Sequence, residues 1–303
     1  MKAAIDIGTN TVLLLIAKLK NGLITPIHEE HRVPRLGKGV DVDKNINGAA
    51  TERVISALKE YKQIMVSNFP EVETVTVTAT SAVRDARNRQ EFIKRVKDET
   101  GFDIRLLSGK EEAEWTATGA LSVLKGVGEG ETLILDIGGG STEVAQVKGD
   151  SVLDAHSYDM GSVRFTERFF QKDPPTTKQL SNCRKEIKHF FNTRPFTINS
   201  RIQAVGVAGT VTTLAAMALD LKEYHPEKLN GYILTINDIQ SVIVQFTSHP
   251  SDKMLQENPV YLKGRADIFL AGMLILEGFM KQFGLKELIV STGGIRHGAI
   301  IKA

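Results

Sequence analysis

The tripeptide Asp-Ile-Gly occurs twice, at residues 6–8 and 136–138, and no other feature constrains the fold as strongly. The first copy ends the apolar run KAAIDI (Lys2 to Ile7), passes through Gly8-Thr9-Asn10 and continues as TVLLLIA (Thr11 to Ala17). The second lies within TLILDIGGGSTEVAQV (Thr132 to Val147), again an apolar run, a glycine turn and a second apolar run. A three-residue string recurs easily by chance. Its recurrence with matching flanks, a domain's length away, is the mark of a duplicated fold. A chain of 303 residues has room for two domains of ~150 residues each. The break Gly126-Val127-Gly128-Glu129-Gly130 is the natural linker. The expected domains are therefore 1–125 and 126–303, with a terminal helix at about 295–303 able to pack back on the first.

The pattern between these landmarks is α/β. After the hairpin, Leu23 to Glu29 completes a three-stranded antiparallel meander. Val54, Leu58, Tyr61 and Met65 recur at helical spacing within Gly48 to Asn68. TVTVTAT (Thr74 to Thr80) alternates with period two and is a strand, followed by a helix (Arg89 to Thr100), a strand (Phe102 to Leu107) and a helix (Lys110 to Lys125). This βββαβαβα order predicts a mixed sheet with helices on both faces. In the second half the opening pattern recurs, with a third strand at Ser151 to Tyr158, then helices at about Arg164 to Gln171 and Thr177 to Asn192, a strand at Ile202 to Val207 and a helix beginning near Thr210. Helices at Asn237 to Phe246 and Gly264 to Phe283, a strand at Leu285 to Ser291 and the terminal helix from Ile295 follow.

Glycine turns between strands leave backbone N–H groups open to a ligand, and several in a row form an anion site to which Ser and Thr hydroxyls add donors. Two such turns facing each other would grip a phosphate chain. An aspartate beside bound phosphate calls for a cation; Asp136 and Glu143, on either side of GGGST, can share one Mg²⁺. DIGTNT alone is slightly better explained by a tight hairpin. Three consecutive glycines sacrifice more backbone entropy than a plain hairpin requires, and the pair of turns together points to phosphate.

Six segments in order, IDIGTNT, TATSAVRDARN (Thr78 to Asn88), SGKEEA (Ser108 to Ala113), LDIGGGSTE (Leu135 to Glu143), GVAGTVTTLA (Gly206 to Ala215) and STGGIRHGAI (Ser291 to Ile300), resemble the exopolyphosphatase and guanosine pentaphosphate phosphohydrolase (Ppx/GppA) family. The resemblance spans the chain. It implies two duplicated ribonuclease-H-like domains of the actin, Hsp70 and sugar-kinase superfamily, and Mg²⁺-assisted hydrolysis of a terminal phosphoanhydride in an interdomain cleft. By the same resemblance Glu112 is the catalytic base, Asp136 and Glu143 bind the metal, and Gly138, Gly139, Gly140, Ser141 and Thr142 bind phosphate. Thr9, Asn10 and Thr11 match the first phosphate loop, where the family commonly has Ser-Asn-Ser, and Arg84 matches a substrate-binding arginine. The planar fork of Arg84, after a strand and a short turn, suits phosphate oxygens.

The remaining residues narrow the classes. Lys and Arg total 38 against 36 Asp and Glu, so no general affinity for nucleic acid is expected and a polyanion must be held locally. A single cysteine, Cys183, excludes an intrachain disulfide, a thiolate zinc site and a CxxC pair. No signal-peptide core is present, and Ile268 to Leu276 is far shorter than the ~20 residues that span a bilayer; the expected setting is the cytoplasm, without a membrane partner. Arg35 and Arg296 are candidates for further phosphate contacts, Arg296 equally for packing the terminal helix; Arg87 and Arg89 read as a solvated basic loop. The expected activity is release of orthophosphate from inorganic polyphosphate, with guanosine pentaphosphate as rival substrate and a homodimer allowed. An ATP-dependent small-molecule kinase is disfavoured by the short chain and by Glu112 with Arg84. A non-catalytic alarmone or polyphosphate sensor has no use for Glu112, Asp136 and Glu143 together.

Overall fold

A computed structural model describes residues 1–127, 130–149, 151–198 and 202–303; Gly128 and Glu129 of the glycine-rich break lie outside the described residues. The elements run β1 (Lys2–Ile7), β2 (Val12–Lys20), β3 (Leu23–Arg32), α1 (Val40–Asp43), α2 (Gly48–Asn68), β4 (Thr74–Ala79), α3 (Ser81–Asp85), α4 (Arg89–Thr100), β5 (Ile104–Leu106) and α5 (Gly109–Ser122). They continue with β6 (Glu131–Ile137), β7 (Thr142–Lys148), β8 (Ser151–Tyr158), α6 (Ser162–Phe169), α7 (Thr177–Thr193), β9 (Gln203–Val207), α8 (Ala208–Ala218), α9 (Pro226–Leu229) and β10 (Ile233–Thr235). The last are α10 (Ile236–Ser248), α11 (Ser251–Glu257), α12 (Pro259–Leu262), α13 (Ala266–Gln282), β11 (Glu287–Val290) and α14 (Ile295–Lys302). None of the described helices is long and apolar enough to cross a membrane.

The chain forms two compact units: Met1–Ser122 with Gly293–Ala303, and Val123–Thr292. The second thus ends before the last eleven residues, which belong to the first. The first unit has a sheet in the order β3-β2-β1-β4-β5, an antiparallel meander extended by two parallel strands. Both faces are covered, so β1 and β2 are apolar almost throughout. Ile5, Ile7, Leu14 and Ile16 pack with Val54, Leu58 and Tyr61 of α2 on one face. Ala4, Leu15 and Ala17 point the other way, onto Trp115 of α5 and Ile295, Ala299 and Ile300 of α14. Residues of one strand separate cleanly between the two clusters because successive side chains alternate in direction.

The second unit has the order β8-β7-β6-β9-β11-β10. Its first five strands repeat the first sheet position for position, with β6 as counterpart of β1 and β11 of β5, and the short antiparallel β10 is an addition at the edge. The duplication read from Asp-Ile-Gly is therefore a duplication of sheet topology. The core of this unit centres on α13, which is buried on nearly every side by residues such as Leu214, Ile243, Phe191 and Leu288. Cys183 is buried there, its thiol pushed up to about 12 by burial.

Candidate active site

Loops 1 (Gly8 to Thr11) and 2 (Gly138 to Ser141) close identically. Gly8 N–H donates to Thr11 O at 2.9 Å, and Gly138 N–H to Ser141 O at 3.0 Å. Each is then held from one side by the segment that follows its meander. In loop 1, Thr9 O accepts from Gly37 N–H (2.8 Å) and Asn10 O from Arg35 N–H (3.0 Å). In loop 2, Gly138 O accepts from Ser162 N–H (2.9 Å), and Gly139 O from the N–H groups of Val163 (2.8 Å) and Arg164 (3.1 Å). Gly140 O accepts from Arg164 Nε at 2.6 Å. In a trans peptide C=O and N–H point in opposite directions. Three consecutive carbonyls tethered toward α6 therefore turn the N–H groups of Gly139, Gly140 and Ser141 to the far side, and among the described residues no hydrogen bond engages those three donors. Such a row of N–H groups is an anion nest.

The hydroxyls serve the scaffold more than the ligand. Thr142, a phosphate ligand by resemblance, is wholly buried and donates through Oγ1 to Met160 O at 2.7 Å, so its side chain secures β7. Thr9 is buried, with Oγ1 and Ser81 Oγ hydrogen-bonded at 3.0 Å. Asn10 and Thr11 are half-buried, and Ser141 is buried.

The strands behind the loops carry the acids in register. In the second sheet one row runs Val207, Asp136, Glu143, Ser157 across β9, β6, β7 and β8. Directly opposed residues share a face, and like charges there repel. Asp136 is 8% and Glu143 2% exposed, and Ser157 Oγ donates to Glu143 Oε1 at 2.7 Å. The matching row in the first sheet is Thr78, Asp6, Leu13, His31. Asp6 repeats Asp136, but leucine stands where Glu143 does, so only the second sheet pairs two acids. Burial raises the Asp6 carboxyl to about 6 against the opposing effects of the Thr78 hydroxyl, which donates to it at 3.0 Å, and of Arg296.

Glu112 lies in the first turn of α5, 5% exposed. The two neighbouring glutamates divide the work. Glu111 forms a capping box with Ser108: Ser108 N–H donates to Glu111 Oε2 (2.9 Å) and Glu111 N–H to Ser108 Oγ (3.3 Å). The Ser108 N–H, its hydroxyl and Arg105 hold the Glu111 carboxyl down to about 2. Glu112, one residue on, turns inward, where Arg84 Nη1 donates to Oε2 at 2.9 Å and to Leu107 O at 3.0 Å. The structure thus brings Arg84 and Glu112 together as an ion pair in the first unit, while Asp136, Glu143 and loop 2 belong to the second. Arg296 is a strut: its Nη1 donates to Leu14 O and pairs with Glu29 Oε2, both at 2.9 Å, tying α14 to the sheet.

Three functional features escape the sequence reading. Ser108-Gly109-Lys110-Glu111 carries the capping-box spacing and was open to recognition. Gly161 and Arg164, which hold loop 2, have no local signature, because their partners lie more than twenty residues earlier. Among the described residues no group of three or more His, Cys, Asp or Glu is placed to hold a metal.

A family model described as the Ppx/GppA phosphatase family matches residues 15–303. Exopolyphosphatase 2 of Mycobacterium tuberculosis is 32% identical over 98% of this chain and 96% of its own. A crystal structure of the Aquifex aeolicus member of the Ppx/GppA family has a TM-score of 0.83 at 33% identity, covering 99% of this chain and 95% of that one. An exopolyphosphatase from Cytophaga hutchinsonii has a TM-score of 0.87 at 27% identity, covering 98% and 96%. With the duplicated α/β sheets, the paired glycine loops and a match over nearly all its length, this chain belongs to the Ppx/GppA phosphatase family.

Proposed function

We propose that this protein hydrolyses the terminal phosphoanhydride of inorganic polyphosphate and releases orthophosphate. The observation that carries the reading is the buried Glu112 carboxylate, fixed by Arg84 on a helix whose first turn is independently capped by Ser108 and Glu111. A solvated surface acid needs neither arrangement. A kinase or a passive sensor has no use for a water-activating base, whereas hydrolysis requires one. Exopolyphosphatases among the relatives support the substrate.

In this reading Glu112 takes a proton from water, the water oxygen bonds to the terminal phosphorus, and the bridging P–O bond breaks to leave a shortened chain. Arg84 holds Glu112 and presents its fork to the phosphate. The N–H groups of Gly139, Gly140 and Ser141 bind phosphate oxygens, and loop 1 (Thr9, Asn10 and Thr11) serves the same end through its backbone. The donors present suit Mg²⁺, which accepts few carboxylates and completes its shell with water and phosphate. Asp136 and Glu143, opposed across β6 and β7 and buried, would hold it. When bound, Mg²⁺ neutralises charge on the phosphoryl group. Leu13 at the position matching Glu143 limits this design to one such acid pair.

The test is Glu112→Gln, with phosphate release measured on tripolyphosphate, long-chain polyphosphate and guanosine pentaphosphate. General base catalysis contributes ~10²–10⁴-fold, and kcat should fall by that order while polyphosphate binding stays within about threefold. Hydrolysis at wild-type rate removes Glu112 from the chemistry. Wild-type activity on guanosine pentaphosphate alone replaces the substrate.

A further inference from the structure

The two loops are held from behind by different means. In loop 1 the Asn10 carbonyl is secured by a backbone donor, Arg35 N–H. The equivalent carbonyl in loop 2, Gly140 O, is secured by a side chain, Arg164 Nε at 2.6 Å. Arg164 is 7% exposed, and its own N–H grips Gly139 O one peptide earlier. The backbone of α6 reaches the loop because residue 161 is glycine: a Cβ there would lie 2.5 Å from Gly139 C and O and 2.6 Å from Gly140 N. A peptide between glycine and its neighbour has little intrinsic reason to keep one orientation, since glycine accepts both signs of φ. A charged donor on its carbonyl supplies that reason.

We propose that Arg164 is a positioning residue of the phosphate loop, fixing the Gly140–Ser141 peptide so that the Ser141 N–H faces the substrate. The inference rests on loop 2 binding phosphate, as read above. It assigns Arg164 a role in affinity, exerted through the peptide it holds. Without the Nε donor the peptide is free to turn, and a carbonyl oxygen then meets the phosphate where an N–H should.

Arg164→Met keeps the aliphatic bulk and removes the donor; Arg164→Lys keeps the charge and a donor. Tripolyphosphate affinity by calorimetry, KM, kcat and melting temperature are compared for both with wild type. The expected result for Arg164→Met is a roughly tenfold loss of affinity with a parallel rise in KM, and kcat changed by less than about threefold; the lysine variant recovers part of the loss. Wild-type affinity and KM in a folded Arg164→Met overturn the proposal, as does a fall in kcat and melting temperature with KM unmoved, the signature of a merely structural residue. If Arg164→Met does not fold, Arg164→Lys decides: unchanged KM overturns the proposal and a raised KM supports it. Absence of tripolyphosphate binding by wild type refutes the phosphate loop itself and so separates the two failures.

Discussion

Gly298→Ala puts the support of Glu112 to a sharp test, because helix propensity and packing predict opposite signs. Gly298 is inside α14, where alanine is ordinarily favoured over glycine by ~1 kcal/mol. Here an alanine Cβ would lie 2.1 Å from the Trp115 carbonyl oxygen and 2.7 Å from its carbon, where ordinary contact begins at 3.4 Å. The reciprocal position is as tight: a Cβ on Gly119 would lie 2.0 Å from Gly294 O. Both helices present backbone at the contact, so no side chain can rotate away, and α5 and α14 must part by about 1.3 Å, the shortfall between 2.1 and 3.4 Å. Overpacking of this kind costs ~1–3 kcal/mol, and an immovable obstacle puts it at the upper end. For a unit of this size ~3 kcal/mol lowers the melting temperature by roughly 10 °C. Trp115 is one helical turn from Glu112, so the carboxylate moves with it, and a displacement of ~1 Å costs ~10²-fold in rate. Thermal unfolding and steady-state phosphate release check both parts. A melting temperature at or above wild type refutes the packing argument; a lowered one with wild-type kcat refutes the role given to the helix.

The other predictions concern charge, capping and metal. Asp6 has its carboxyl raised from 3.8 to about 6, so the unfolded chain ionises first and this group lowers stability progressively as pH rises from about 4 to 6, by at most ~3 kcal/mol. Asp6→Asn removes that slope, so in chelator the variant should gain on wild type between pH 4.5 and 7.5 in urea unfolding; an unchanged gap contradicts the burial argument. Ser108→Ala deletes the α5 cap and should cost ~1 kcal/mol with KM unmoved, measured by denaturant midpoint and kinetics. Asp136→Asn halves the acid pair and should raise the Mg²⁺ concentration for half-maximal activity at least tenfold in a metal titration; wild-type dependence places the ion elsewhere.

The parts of the fold legible in the sequence are those where one strong local signal suffices. The run from Gly48 to Asn68 shows its apolar face at every turn, and the two Asp-Ile-Gly hairpins carry both the strand pattern and the residues for the turn. β10 is only Ile233 to Thr235, too short for any periodicity to register. α8 starts at Ala208, ahead of the expected Thr210, and Ala208 adopts φ of 64°, a conformation that no pattern of residue types announces for alanine. Within the site, carboxylates are conspicuous because they are rare in apolar runs, so Asp136 and Glu143 stand out. A threonine gives no hint of which way its hydroxyl turns, and Thr142 turns to Met160. Arg164 lies among ordinary helix residues, and only the three-dimensional return of α6 to its loop reveals what it touches.

The interleaving of the two units has a consequence for biosynthesis. Residues 123–292 are contiguous, so the ribosome delivers everything that unit needs in one stretch. The other half waits: its sheet and α5 emerge first, yet the surface formed by Leu15, Ala17 and Trp115 stays bare until Ile295, Ala299 and Ile300 are translated. A nascent chain stalled before residue 293 would therefore display a finished second half beside a first half with an uncovered greasy flank, a natural substrate for chaperones.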